Sequence, residues 1–377
     1  MKILFLARRF YPQIGGVEKH VYEITKRLVA QGHEVVIVTQ SYGRSSKPVK
    51  TKPDYQHNNK QNYQSSAQSD TYSINIKYPV KSIQTEIIVS KKIKVVRLNF
   101  GRDNIFVKLR IWLSMGSIVG EIIQADIIHC HDVFFWYLPF RFLFPHKKVF
   151  TTFHGYEEYP LGKGKILMHK ISEVLSSGNI CVGKFIEKWY GTKPDAVIYG
   201  GVNKNSVDKI SNIKNNQSAL FYGRLDEQTG ILEYARAVRL IKDMHPGFRF
   251  EIIGDGKYRK KVEKFVKKGF IVDPEKYLIN FRFAFLSRYL SILEAMIAKR
   301  MVFALYDNPI KRDYLQISPF KNWVVICESA EELASKVDFF IRNKQEEKRM
   351  TNLAYNWASK QTWESVVSEY LKLWKKA

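Results

Sequence analysis

Gly15 and Gly16 stand immediately before a segment with helical apolar spacing. Glycine tolerates positive φ and lets a ligand approach the backbone closely, and a helix start offers free N–H groups that attract phosphate. A Gly-Gly pair is also an ordinary turn signal, so it needs company. Arg224 follows Gly223 at the end of an apolar run. A guanidinium fork there suits a diphosphate, and an exposed surface arginine is the competing reading. Glu294, in Ser291-Ile292-Leu293-Glu294, falls near the start of a helix. Its carboxylate can accept two hydrogen bonds from a vicinal diol such as ribose, or it can complement the helix dipole for about 0.3–1 kcal/mol. His129 and His131 alternate along one apolar run and share a face, and His154 ends another. Three histidines raise the question of zinc. No carboxylate or cysteine completes a ligand set, and a histidine bonded to a polar ligand group fits better.

All of these residues sit at the ends of apolar runs that read as strands. In the first half the runs are Lys2 to Ala7, Glu34 to Thr39, Ile93 to Leu98, Asp126 to His131 and Lys147 to Phe153. In the second they are Ala219 to Gly223, Phe248 to Ile253, Phe283 to Leu286, Val302 to Tyr306 and Trp323 to Cys327. Helical patterns alternate with them, as in Val17, Val21, Ile24 and Leu28 with Gly32 as the stop. Alternating β and α predicts parallel sheets covered by helices on both faces, with ligands beyond the carboxyl ends of the strands. Two such series predict an α/β protein of two Rossmann-like domains whose sheets face each other across a cleft. The expected division is 1–195, 196–358, and a last helix over 359–377. Residues 41–73 are rich in Ser, Lys, Gln and Asn and read as a mobile surface insertion.

The bulk numbers agree with that plan. A chain of 377 residues exceeds what one core ordinarily supports. Lys and Arg number 61 against 36 Asp and Glu, a net charge of +25, which favours anionic partners without choosing among them. The three cysteines, Cys130, Cys181 and Cys327, form no CxxC pair, so a reducing compartment fits and a disulfide framework does not. The opening apolar run meets Arg8-Arg9 and reads as a strand rather than a signal segment. No uncharged run reaches the roughly 18 residues of a membrane span.

Together these segments resemble the retaining glycosyltransferases of family four, which have the GT-B fold. The resemblance rests on Lys2 to Leu6 with Phe10-Tyr11-Pro12, Gly15-Gly16-Val17-Glu18, Gln31-Gly32-His33-Glu34-Val35 and Asp126 to His131. It continues through Thr152-Phe153-His154-Gly155, Val197 to Asn203, Tyr222-Gly223-Arg224-Leu225, Ile253-Gly254-Asp255-Gly256 and Leu293-Glu294-Ala295-Met296. It implies that Gly15 and Gly16 face donor phosphate and acceptor, and that His154 is the catalytic histidine beside the donor sugar. Gly223 and Arg224 would hold the diphosphate, Glu294 the ribose, and Leu290 and Ser291 would offer backbone N–H groups. It also implies a nucleotide-sugar donor, UDP- or GDP-linked, with no metal and no cofactor, retention at the anomeric carbon, and a last helix that returns to the N-terminal domain. Three positions depart from the family: Leu286 replaces a glutamate, Thr229 a lysine, and Arg288 stands near where a small flexible residue is usual. Arg288, in the loop expected to face the diphosphate, could restore the lost charge, or point outward. A protein that kept the fold and lost the chemistry, binding sugar nucleotides or polyanions, is the alternative.

The acceptor is read as a glycan or a lipid-linked sugar. Ile105 to Ile123 is apolar with basic residues interspersed, and Val133 to Lys148 joins seven aromatics to Arg141, Lys147 and Lys148. Such stretches suit peripheral contact with an anionic membrane, here the cytoplasmic face of the inner leaflet, or they are core helices. No helix-turn-helix, zinc-finger or RNA-binding signature accompanies the charge, so nucleic acid is not expected.

Overall fold

A computed structural model describes residues 1–11, 15–41, 83–86, 93–101, 104–156, 158–203, 217–271 and 273–376. Beyond residue 41 the insertion expected over 41–73 lies outside the described residues. The first half folds as β1 (Lys2–Ala7), α1 (Gly16–Ala30), β2 (Glu34–Gln40), β3 (Ile83–Glu86), β4 (Ile93–Leu98), α2 (Val107–Gly116), α3 (Val119–Gln124) and β5 (Ile127–His131). It continues with α4 (Phe134–Leu143), β6 (Lys148–Phe153), α5 (Lys163–Leu175), β7 (Gly178–Val182), α6 (Phe185–Tyr190) and β8 (Ala196–Ile198). Its sheet runs β3-β4-β2-β1-β5-β6-β7-β8 and is parallel throughout except for β3. The Ile3–Ala7 run is fully buried, as a strand covered on both faces must be.

The second half comprises β9 (Ser218–Arg224), α7 (Ile231–Met244), β10 (Arg249–Asp255), β11 (Val266–Lys268), β12 (Phe283–Phe285), α8 (Tyr289–Ile297) and β13 (Met301–Leu305). There follow α9 (Pro309–Gln316), β14 (Val325–Cys327), α10 (Ala330–Arg342), α11 (Lys344–Ala358) and α12 (Trp363–Lys376). The second sheet, β11-β10-β9-β12-β13-β14, is wholly parallel. In each sheet the crossovers reverse direction beside the first strand, between β1 and β5 and between β9 and β12. Those are the points where an open parallel sheet leaves a crevice at its carboxyl edge. The two Rossmann-like domains of the GT-B plan are therefore present.

Three details differ from the sequence reading. β8 pairs with β7, so the first sheet extends past residue 195. The stretch over 105–123 is two helices, because the Ser117 hydroxyl donates to the Ser114 carbonyl at 2.6 Å just after Gly116 and ends the first. The strand β7 carries Gly178 and Asn179 and has too little apolar sequence to announce itself.

The last helix, α12, presents Trp363, Val366, Val367, Tyr370, Leu373 and Trp374 to the same core as β1 and α1. Each such burial is worth about 1.5–3 kcal/mol. Its course requires two small residues. A Cβ on Gly178 would stand 2.7 Å from Leu373 Cδ1, and one on Gly201 would stand 2.7 Å from the Trp363 nitrogen. The chain thus crosses between the sheets twice, and the crossings are fastened together: Val202 N–H donates to the Gln361 carbonyl at 2.9 Å, beside a bridge from Val202 to Thr362.

Candidate active site

The carboxyl end of β9 is shaped by glycine. Gly223 has φ +140°, and a Cβ on Gly254 of the neighbouring β10 would run into the Gly223 carbonyl. Beyond it, Arg224 Nη2 donates to Gln228 Oε1 at 3.0 Å. Arg288, at the N-cap of α8, donates from Nη2 to the same oxygen at 2.5 Å. Two guanidinium groups therefore converge on one neutral acceptor. Gln228 in turn donates to the Tyr156 carbonyl at 3.4 Å, which joins this corner to the loop after β6. Of the two orientations open to Arg288, the structure has it pointing inward, beside the Tyr156 and Tyr314 rings. Thr229 is buried, and its hydroxyl donates to the carbonyls of Arg224 and Asp226 at 2.8 and 2.9 Å. Leu286 is core.

Lys311 of α9, absent from the sequence reading, lies beneath the same corner. It is 2% exposed and donates to the carbonyls of Ser287 at 2.6 Å and Gln228 at 3.3 Å. Burial, reinforced by Arg288, holds its ammonium pKa well below that of an ordinary lysine. At the start of α8 the Tyr289 N–H is taken by the Tyr314 hydroxyl at 2.7 Å. Leu290 and Ser291 follow in the first turn, where amides have no intrahelical acceptor.

Glu294 lies two thirds of the way along α8 rather than near its start. Its two oxygens are both engaged. Oε2 accepts from the buried Tyr222 hydroxyl at 2.7 Å, and Oε1 accepts from Lys19 Nζ at 2.7 Å. Lys19 comes from α1 of the other domain, and it also donates to Glu275 at 2.7 Å. Burial alone would lower the Lys19 pKa, but the Glu294 and Glu275 carboxylates outweigh it and raise it. Glu275 is pushed up to about 7, by burial first and by Glu294 second.

The N-terminal wall is a histidine cluster. Trp374 Nε1 donates to His129 Nδ1 at 3.0 Å. An indole only donates, so the proton of neutral His129 must sit on Nε2, which reaches the Thr152 hydroxyl at 2.7 Å. The direction then propagates: Thr152 to the Tyr370 hydroxyl at 2.7 Å, and Tyr370 to His20 Nε2 at 2.9 Å. His20 packs edge-on to His154, with centroids 4.8 Å apart. His131 Nδ1 and His154 Nε2 are 2.9 Å apart. The buried His131 Nε2 has no partner among the described residues, so the lower-cost arrangement puts the His131 proton on Nδ1. His154 then carries its own proton on Nδ1. Burial drives all four imidazoles toward neutrality, His20 and His129 to about 3 and the other two well below 6.5. The His154 amide is fixed by Asp132 Oδ1 at 2.9 Å, and Asp132 itself has φ +60°.

Gly15 is the N-cap of α1 with φ −159°, and Gly16 is its first residue. Neither has positive φ, so backbone freedom is not what glycine supplies here. A Cβ on Gly15 would meet only the Glu18 carboxylate, the movable end of a flexible side chain. Burial raises the Glu18 pKa, and Arg9 and Arg224 oppose that rise. Arg224 and Arg288 thus meet through Gln228, and Glu294 meets α1 through Lys19, whereas His154 bonds within the N-terminal histidine cluster. Lys19 and Glu275 went unread, because each acquires meaning only from a partner far away in sequence. Among the described residues, no group of three or more His, Cys, Asp and Glu side chains is arranged to hold a metal ion.

Comparison with known proteins bears on the same halves. The model for Glycosyltransferase Family 4 matches residues 14–205, just over half of the chain. A human phosphatidylinositol N-acetylglucosaminyltransferase subunit is 53% identical over 34 residues, 9% of this chain and 7% of that one. The chain thus spans under a tenth of the length of that relative. An uncharacterized glycosyltransferase of Methanocaldococcus jannaschii is 32% identical over 166 residues, 41% of this chain and 44% of its own. Among solved structures, Anabaena HepE in complex with UDP and glucose superposes with a TM-score of 0.69 at 14% identity, covering 100% of both chains.

Proposed function

The chain belongs to glycosyltransferase family 4, and from that premise we propose that it moves a hexose from a UDP- or GDP-linked donor to a lipid-linked or glycan acceptor, with retention at the anomeric carbon. The observation that carries the donor reading is the convergence of Arg224 and Arg288 on Gln228 Oε1. Two aligned cations around a neutral oxygen match the two phosphates of a leaving nucleoside diphosphate better than any neutral ligand. Diphosphate oxygens would take the place of the Gln228 carbonyl, with the Leu290 and Ser291 amides completing the cradle. Glu294 would accept the ribose hydroxyls. In this reading the protein's own cations stabilise the leaving group electrostatically, and His154 presents Nδ1–H to a sugar hydroxyl. The UDP and glucose held by HepE, and the N-acetylglucosamine transfer named for the human relative, support a nucleotide-sugar donor.

The acceptor side is read from the surface. Ile105 and Phe106 just before α2 and Leu109 and Leu113 on it are exposed, as are Phe142 and Leu143 at the end of α4, which packs beside it. Lys108, Arg110, Arg141, Lys147 and Lys148 lie in and beside the same two helices. An apolar ridge flanked by cations suits the interface of an anionic membrane and a lipid-linked acceptor there. The aromatics Phe134, Trp136, Tyr137 and Phe140 are core, so only part of the aromatic run serves such a surface. Among the described residues no helix is long and apolar enough to cross a membrane, and the contact proposed is peripheral, on the cytoplasmic face. Co-sedimentation with anionic vesicles at low salt, lost in Phe106→Asp/Leu113→Asp, is the expected result. Equal pelleting of both proteins would refute it.

The test of the donor site is calorimetric titration of UDP, GDP and ADP into the wild type and Glu294→Ala. One nucleotide should bind saturably, and more weakly in the variant. Leu286, buried where family members carry a glutamate, favours a second reading in which binding survives and turnover does not. Nucleotide binding without transfer across a panel of donors and acceptors would establish it.

A further inference from the structure

Glu294 is the acid on which ribose recognition depends in the reading above, yet in this structure its Oε1 already holds an ammonium from the opposite domain. Lys19 is an unusual residue to find there. It sits on α1, its side chain is 20% exposed, and both of its carboxylate partners, Glu275 and Glu294, come from the second domain. Both oxygens of Glu294 are taken without a ligand, since Tyr222 satisfies Oε2, whereas the buried Oε2 of Glu275 has no partner among the described residues. An incoming diol must donate to the same carboxylate, and a buried carboxylate has few free directions left. Nearly buried, charge-assisted bonds are also the strong ones.

We propose that Lys19 is an internal competitor for the ribose site, a cation from the N-terminal domain that occupies Glu294 until a nucleotide displaces it, and so sets donor affinity. This rests on Glu294 binding ribose. Glu275 has a defined part in it. It is the alternative partner that keeps Lys19 from resting wholly on Glu294, and it receives the ammonium when the nucleotide arrives. Because Lys19 belongs to α1, its release from Glu294 also removes one tie between the domains, so donor binding and domain movement are coupled through a single side chain. Binding competence is the fraction of molecules with Glu294 free, and the apparent affinity scales with that fraction.

The geometry gives opposite signs for two substitutions in one cluster. Lys19→Met removes the competitor, and UDP, GDP or ADP, whichever binds the wild type, should bind about tenfold more tightly, as an increase in the competent fraction requires. Glu275→Gln removes the alternative partner and concentrates Lys19 on Glu294, so the same nucleotide should bind more weakly, by severalfold. A purely structural cluster would move both variants in the same direction. Glu294→Gln separates the ribose site from the competitor. Weaker binding in Glu294→Gln, with no tightening in Lys19→Met, would keep the ribose site and overturn the competitor. Unchanged binding in Glu294→Gln would overturn the ribose reading itself, and the competitor with it. In the double variant Lys19→Met/Glu294→Gln the gain from Lys19→Met should vanish, and a gain that persists would overturn the proposal. Thermal melts of each variant confirm that folded protein is compared, and Lys19→Gln replaces Lys19→Met if the latter fails to fold.

Discussion

From Trp374 to His20, each group in the buried chain of the N-terminal wall meets a protein partner whose direction is set by the indole at its head. Across the cleft, Arg224 and Arg288 share one amide oxygen, and Glu294 is held by a lysine borrowed from the other domain. Apart from His131 Nε2 and the His154 Nδ1–H, the first wall is satisfied before any ligand arrives. The second is satisfied by stand-ins that a ligand must replace. Burial explains the contrast. Neutral imidazoles and hydroxyls can be desolvated if they bond to one another, whereas guanidinium and carboxylate groups must find charge or water in every state. Preorganisation should therefore show in turnover on the histidine side and in affinity on the arginine side.

Substitutions that separate the two walls test this. His154→Ala should lower kcat by about 10²–10³-fold, the usual effect of losing a preorganised donor at the reacting group, with the nucleotide Kd nearly unchanged. An equal loss in Kd would erase the distinction. Arg224→Ala and Arg288→Ala should each weaken nucleotide binding by about ten- to thirtyfold, as expected for one charge-assisted bond. Unchanged affinity in Arg288→Ala would remove it from the donor site. Tyr370→Phe strands Thr152 and His20 and should cost about 1–3 kcal/mol of stability, read by denaturant unfolding. Turnover should fall in the same variant without a change in nucleotide affinity.

The smallest effect is a difference in pH dependence. His20 and His129 have folded pKa values near 3 against an ordinary 6.5, so the unfolded chain takes up protons first as pH falls. Stability from the histidine wall is complete above about 6.5 and is lost toward acid pH. Glu275 acts in reverse. Its folded pKa of about 7 exceeds the ordinary 4.5, so its contribution is most favourable below 4.5 and declines as pH rises through 7. Melting temperatures of Glu275→Gln relative to wild type should therefore improve with rising pH across that window. A flat difference would mean that Glu275 does not hold its proton in the fold.

The strands and the cleft were legible because parallel strands buried on both faces leave continuous apolar runs, and their carboxyl ends fix where ligands sit. Arg224 could be singled out at such a position from residue type, Glu294 only through the resemblance and with its place on α8 misjudged, and Arg288 from the charge missing at Thr229. Lys19 could not, since it is one cation among 61 Lys and Arg and its partners lie 256 and 275 positions away. The same distance hid the relay, whose head, Trp374, is 245 residues from His129. Gly15 was expected to face a ligand phosphate; in this structure the group nearest to it is the protein's own Glu18 carboxylate.

The doubled crossing between the sheets has a mechanical consequence. A single linker acts as a tether and leaves its two bodies free to swivel. Two strands pinned to each other at Val202 and Gln361, with Gly201 pressed against Trp363, behave more like the knuckle of a door. Such a pair should resist torsion more than bending, which would keep Lys19 of α1 aligned with Glu294 of α8.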